Sequence, residues 1–142
     1  MKLSSSISVG ILIFIFSCSV EQEKIDYGKE SCYFCKMTIV DKQHAAELIT
    51  SKGKAYKFDA IECMINYINK NDVDASLLFV CDYSNPGKLI PANTATFLVS
   101  DEIPSPMGAF LSAFSTKQEA EGIQNEKTGS IYSWESIQTQ IK

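Results

Sequence analysis

The chain has 142 residues, and its 13 basic residues, all lysine, are outnumbered by 17 aspartates and glutamates. That length supports one modest hydrophobic core rather than two independent domains. The acidic balance and the absence of arginine exclude a nucleic-acid binder, which needs a dense basic footprint with guanidinium forks, and equally a broad cationic face laid on anionic lipid.

The first residues have the layout of an export signal. Lys2 precedes a polar stretch, and Val9 to Phe16 is a short apolar run. Eight residues cannot span about 30 Å of hydrocarbon, and Ile11 to Phe16 offers no polar face for a globular helix. Ser17-Cys18-Ser19 follows, an arrangement that resembles a bacterial lipobox. It predicts a signal peptide over residues 1–17, a lipidated Cys18, and a membrane-anchored protein facing the periplasm. Diacylglycerol plus an N-acyl chain exceeds the two-signal requirement for stable anchoring. Residues 19–31 (SVEQEKIDYGKES) are polar and without period, which predicts a flexible tether over 18–31 and a folded domain over 32–142.

Within the domain, His44 to Thr50 and Lys54 to Phe58 read as strands joined around Ser51-Lys52-Gly53. Asp59 has the chemistry of a helix cap, with Glu62 at the capping-box spacing. Ile61, Met64, Ile65 and Ile68 fall on one helical face, and the helix should stop near Asn69 to Asn71. Ser76 to Cys81 predicts a strand and Ser84 to Gly87 a turn. Short strands follow at Lys88 to Ile90 and Thr94 to Ser100. Pro104 and Pro106 forbid regular structure around Met107 and predict an ordered loop that presents it. A second helix should run from Ser115 or Thr116 to about Asn125, then a strand at Ile131 to Ser133 and a final helical turn or two. The order predicts an α+β fold, and two ββαβ-like units fit it.

Four cysteines remain beyond Cys18. In an oxidising compartment Cys32, Cys35, Cys63 and Cys81 read first as two disulfides. Cys32-x-x-Cys35 is also a redox or zinc pattern. A redox pair wants a helix N-terminus, whereas Thr38-Ile39-Val40 is β-branched; zinc wants two further strong ligands, and Cys63 and Cys81 do not form a second close pair. Met37, two residues after Cys35, shifts the balance toward soft thiolate-thioether ligation, which favours Cu(I). Met64 and Met107 add two thioethers, although Met64 in an apolar stripe is the position of a core filler. Met107, between Pro106 and Gly108, has no evident face to fill. His44 is a possible nitrogen ligand, but a lone histidine near a strand start is more often held by an ordinary hydrogen bond.

The motifs Cys35-x-Met37, KFDAIECMINY, LLFVCDY and SPMGAFLSAFSTKQEAE, in that order, resemble those of the NosL family over roughly Cys32 to Ile137. The resemblance implies a membrane-tethered periplasmic Cu(I)-binding protein built from paired ββαβ units, a metallochaperone rather than an enzyme. The implied partners are a copper-enzyme client, nitrous oxide reductase, and a membrane copper transporter. It also implies a fold like part of an organomercurial lyase, which assigns no lyase activity. Carried over by position, the family's Cys-Gly-Met becomes Cys35-Lys36-Met37, its Phe-Asp before the helix Phe58-Asp59, its helical methionine Met64, and its Met-Gly loop Met107-Gly108. The predicted metal ligands are Cys35, Met37, Met107, Cys32 and Met64. Lys36 stands where glycine is frequent, and Cys32 is an addition that either ligates copper or pairs oxidatively with Cys35. The competing readings are a thiol-disulfide redox protein using Cys32 and Cys35, and a disulfide-stabilised structural lipoprotein. The acidic surface suits a more basic partner.

Overall fold

A computed structural model describes residues 20–141, so the signal segment 1–17 and Cys18 lie outside it. The element order is β1 (Ala46–Thr50), β2 (Ala55–Phe58), α1 (Ile61–Lys70), β3 (Ala75–Cys81), β4 (Leu89–Pro91), a 3-10 turn over Ala92–Thr94, β5 (Thr96–Val99), β6 (Leu111–Phe114), α2 (Lys117–Lys127), β7 (Ser130–Tyr132) and α3 (Trp134–Gln140). This is a small α+β domain. The strands form a four-stranded sheet in the order β2-β1-β3-β4 and a three-stranded sheet in the order β6-β5-β7, all antiparallel within each sheet.

Each half repeats one plan: a hairpin, a helix, and a third strand that returns beside the first strand of the hairpin. In the first half Leu48 of β1 lies between Tyr56 of β2 and Leu78 of β3. In the second, Leu98 of β5 lies between Ser112 of β6 and Ile131 of β7. The halves are stitched together where β3 ends. Asp82 makes a parallel bridge with Ala113, and the Tyr83 N–H donates to the Ala113 carbonyl at 2.8 Å. Buried His44 reinforces the seam, with Asp41 at 2.9 Å on one ring nitrogen and the buried Ser112 hydroxyl at 3.2 Å on the other. One large core runs through both halves, from Ile39, Leu48, Phe58, Ile61 and Ile65 to Phe97, Leu111 and Ile137.

Three local expectations differ from the structure. Strand β6 is unforeseen: four residues, two of them Ser and Ala, carry too little alternation to signal a strand, and its pairing with β5 decides it. The expected capping box at α1 does not form. Ala60 is the N-cap and offers no side-chain bond, while Asp59 and Glu62 both turn to other tasks. The expected tether of residues 18–31 is folded over much of its length. Ile25 is buried in the core, the Glu23 N–H donates to both carboxylate oxygens of buried Glu47, and Gly28 N–H donates to Ile39 O at 2.8 Å. Burying Ile25 and satisfying Glu47 outweigh the entropy of leaving this polar segment loose.

Candidate metal centre

Residues 32–37 form a tight loop that β2 holds in place. The Cys32 N–H donates to Met37 O at 2.7 Å and the Lys36 N–H to Cys32 O at 3.0 Å, closing the loop on itself. The Tyr33 N–H donates to Lys57 O at 2.8 Å, pinning the loop to the edge of β2. The closure requires a left-handed residue, and Lys36 supplies it at φ 69°, a conformation costly for any residue with a Cβ. Because β2 runs directly into α1, the same pinning sets Cys32 and Cys35 against the start of that helix.

There, ligand atoms of Cys32, Cys35, Asp59 and Cys63 all lie within 4.8 Å of one another. Two sulfurs bonded to one metal at about 2.3 Å stand no more than about 4.6 Å apart, so the group is already at the span a single ion needs. Asp59 precedes the cap and Cys63 lies four residues later, in the first turn of α1, where the positive end of the helix dipole favours bound anionic sulfur. The Cys35 thiol donates to Asp59 Oδ1 at 3.3 Å. Cys32 and Cys63 are buried and Cys35 is half-buried, so the cluster has one thiol at its mouth.

The thiols differ in proton affinity. A hydrogen bond donated by the Cys63 thiol pulls Cys32 down to about 6, against the opposing effect of burial. Burial pushes Cys35 up to about 11, with Cys32 and Asp59 adding to the rise. Cys63 is raised by Cys32 and then by burial. A thiol-disulfide catalyst needs its accessible cysteine acidified. Here burial raises the accessible Cys35 thiol rather than lowering it, and no helix starts within the motif. The three sulfurs suit a thiophilic ion, Cu(I) or Zn(II), with the carboxylate as a harder fourth donor within reach.

Of the five ligands expected from sequence, Cys32 and Cys35 come together in this cluster. Met37 follows directly on the loop with its side chain 46% exposed. Met107 is 45% exposed and lines an open groove with Glu62, Asn66 and Tyr132. Met64 is fully buried in the main core. Glu62 explains the ordered proline loop: its Oε1 accepts from the Ser105 hydroxyl and from the backbone N–H groups of Met107 and Ala109 at 3.3 and 3.4 Å. Consecutive residues on a helix point about 100° apart, so Glu62 and Cys63 set the Met107 loop and the thiol cluster on adjoining faces of one turn. His44 lies in the seam described above, and Cys81 contacts the Tyr27 hydroxyl at 3.2 Å, away from the cluster.

Cys63 and Asp59 are the members that sequence reasoning set aside. No local pattern marks the pair, because Asp59 stands ahead of the extended Ala60 cap and outside the helix that carries Cys63, and the cap assigned to Asp59 concealed its role.

The fold is shared with the crystal structure of the copper chaperone NosL from Shewanella denitrificans, at a TM-score of 0.72 and 23% identity over 82% of this chain and 95% of that one. A comparison with curated proteins gave no match. The NosL family model matches residues 24–141, beginning within the packed segment ahead of Cys32, and the chain belongs to the NosL family.

Proposed function

We propose that this protein captures Cu(I) outside the cytoplasm and delivers it to a copper enzyme, with nitrous oxide reductase as the client. The observation that carries the reading is the convergence of three thiols and a carboxylate with only Cys35 at the surface. Thiolates select soft ions such as Cu(I), and family membership supplies the context of a copper chaperone. The transfer makes and breaks coordination bonds only; copper is cargo.

Cys35 is the anchor and exchange ligand, Cys32 and Cys63 are the inner thiolates, and Asp59 accepts the Cys35 proton-side hydrogen bond until metal replaces it. Met37, exposed beside Cys35, is the thioether that a client's ligand displaces first. Met107 is a further outer thioether on a loop tied to α1 through Glu62, and Met64 is assigned to packing. Binding copper expels thiol protons, so affinity depends on pH.

Among the described residues no helix is long and apolar enough to cross a membrane. We assign attachment to lipid on Cys18 after removal of residues 1–17, on the lipobox-like Ser17-Cys18-Ser19 that follows the apolar run. With packing established from Glu23 onward, five residue steps from Cys18 reach about 16 Å at roughly 3.3 Å each. The domain stays close to the membrane surface, where a membrane copper transporter would supply its cargo.

Anaerobic Cu(I) competition against a chelator tests the site, comparing wild type with Cys35→Ser, Cys63→Ser and Met37→Leu. Both cysteine variants should lose affinity strongly and Met37→Leu more modestly. Equal affinity in all four proteins would reject the site. Tighter retention of Zn(II) than Cu(I) in the same assay would reject the copper reading.

A further inference from the structure

The charge around the thiol mouth runs opposite to that of the whole chain. Residues 31–70 carry six lysines against four carboxylates, and three of those carboxylates, Glu47, Asp59 and Glu62, are buried. The exposed charge of this stretch is therefore cationic although the chain has a net charge of −4, and the acids that flank it are Glu30 on one side and Asp72 and Asp74 on the other. The second half contains the opposite: Asp101, Glu102, Glu121 and Glu126 are exposed there.

The lysines nearest the mouth are held by aromatic rings rather than by acids. Lys36 Nζ lies 4.5 Å from the Tyr33 ring centre and bonds the Tyr33 carbonyl. Lys54 Nζ lies 4.6 Å from the Tyr56 ring and 5.8 Å from Tyr33. Lys70 Nζ lies 5.0 Å from Phe34. None of the three has a carboxylate within 4.0 Å among the described residues, whereas Lys57, on the opposite face of β2, is neutralised by Glu30 at 2.8 Å and Glu23 at 3.5 Å. Tyr33 and Phe34 are the two residues between Cys32 and Cys35, so all three lysines contact a ring of the loop that presents the thiol. Tyr33 itself is 41% exposed and packs edge-on to Tyr56 and Tyr67. A lysine set over an aromatic face keeps its charge and loses some of its mobility, which prepares it to meet an anionic surface at low ordering cost.

We propose that Lys36, Lys54 and Lys70, seated on Tyr33, Tyr56 and Phe34, form a cationic collar that docks the acidic rim of a metal-receiving protein over Cys35. The expectation from net charge, a basic partner, is reversed at this face. The proposal rests on the metal-delivery reading for its choice of partner. Charges of this kind act on encounter rate and orientation more than on the strength of the bound state. Any metal handed over must pass Cys35, so steering at its rim acts on the productive approach.

The test uses the full chain in detergent micelles and apo nitrous oxide reductase as probe. Two variants, Lys54→Glu/Lys70→Glu and Lys54→Gln/Lys70→Gln, leave the loop and the thiols intact. Association of metal-free chain with the reductase is measured across ionic strength, alongside Cu(I) withdrawal by a small uncharged chelator. The collar predicts association slowed about tenfold or more in the glutamate variant at low salt, less in the glutamine variant, and a flatter salt dependence in both, with chelator withdrawal unchanged. Equal association and salt dependence in all three proteins would overturn it, as would no association of wild type with the reductase. Loss of binding to phosphatidylglycerol vesicles without loss of reductase association would assign the face to membrane and also overturn it. Failure of wild type to hold Cu(I) would defeat the metal-delivery reading separately, since association is read without metal.

Discussion

The two halves share a plan and differ in how their helices begin. Helix α2 starts conventionally: Thr116 accepts from the Glu119 N–H at 3.2 Å, and Glu119 reaches back to the Thr116 N–H at 3.0 Å. Helix α1 starts at Ala60 with no side-chain cap, although an aspartate stands one residue earlier. That aspartate faces Cys35 instead. A cap of this type contributes about 1 kcal/mol, and the first half forgoes it. Burial compensates, because Ile61 through Ile65 are all buried in α1 while α2 buries only Ala120. A helix already fixed by packing can spend its N-terminal turn on ligands; a helix fixed mainly by its cap cannot.

The largest effect should come from the first turn of α1. Cys63→Ser is expected to weaken Cu(I) binding by at least about a hundredfold, above the range typical of a supporting residue, with the fold intact by circular dichroism. Unaltered affinity would make the two helix starts functionally equivalent. Next, affinity should rise with pH, because bound thiolates must lose protons that Cys35, at about 11, and Cys63 still hold at neutrality. Cys32, at about 6, is already ionised above neutral pH and adds little there. The expected slope is about one to two log units of affinity per pH unit between pH 7 and 9, read by competition titration; a flat profile would contradict the thiol assignment.

A reciprocal pair sharpens the contrast. Thr116→Ala should cost about 1 kcal/mol in denaturant unfolding and leave copper affinity alone. Asp59→Asn should do the reverse, lowering affinity about tenfold with little change in stability. If Asp59→Asn instead destabilises as much as Thr116→Ala, Asp59 is a structural residue. The smallest effect is local to the loop. Lys36→Gly relieves a left-handed backbone at φ 69° and should stabilise the domain by about 1 kcal/mol in thermal unfolding.

Much of the architecture was legible in the chain because short-range signals carry it. The apolar stripe of α1, the Gly53 turn, the Thr116 start and the proline loop all appear where local pattern places them. Strand β6 was not legible, because a four-residue segment of Leu, Ser, Ala and Phe acquires its strand character from β5. Nor was the packed segment from Glu23, whose polar composition hides one core residue and one acceptor pair supplied by Glu47. At the metal centre the CxxC and the neighbouring methionine were legible, while Asp59 was read as a cap, the role its chemistry favours in isolation.

By itself the sequence determined the α+β order, the soft-donor chemistry of Cys32, Cys35 and Met37, and the family motifs, since each is written within a few neighbouring residues. Tertiary structure alone decided that Cys63 and Asp59 complete the cluster and that Lys36, Lys54 and Lys70 rest on aromatic rings of and beside its loop. The physical reason is the pinning of the 32–37 loop to β2 through Tyr33 and Lys57. That contact brings residues about thirty positions apart within one ion's reach, and no local propensity encodes it.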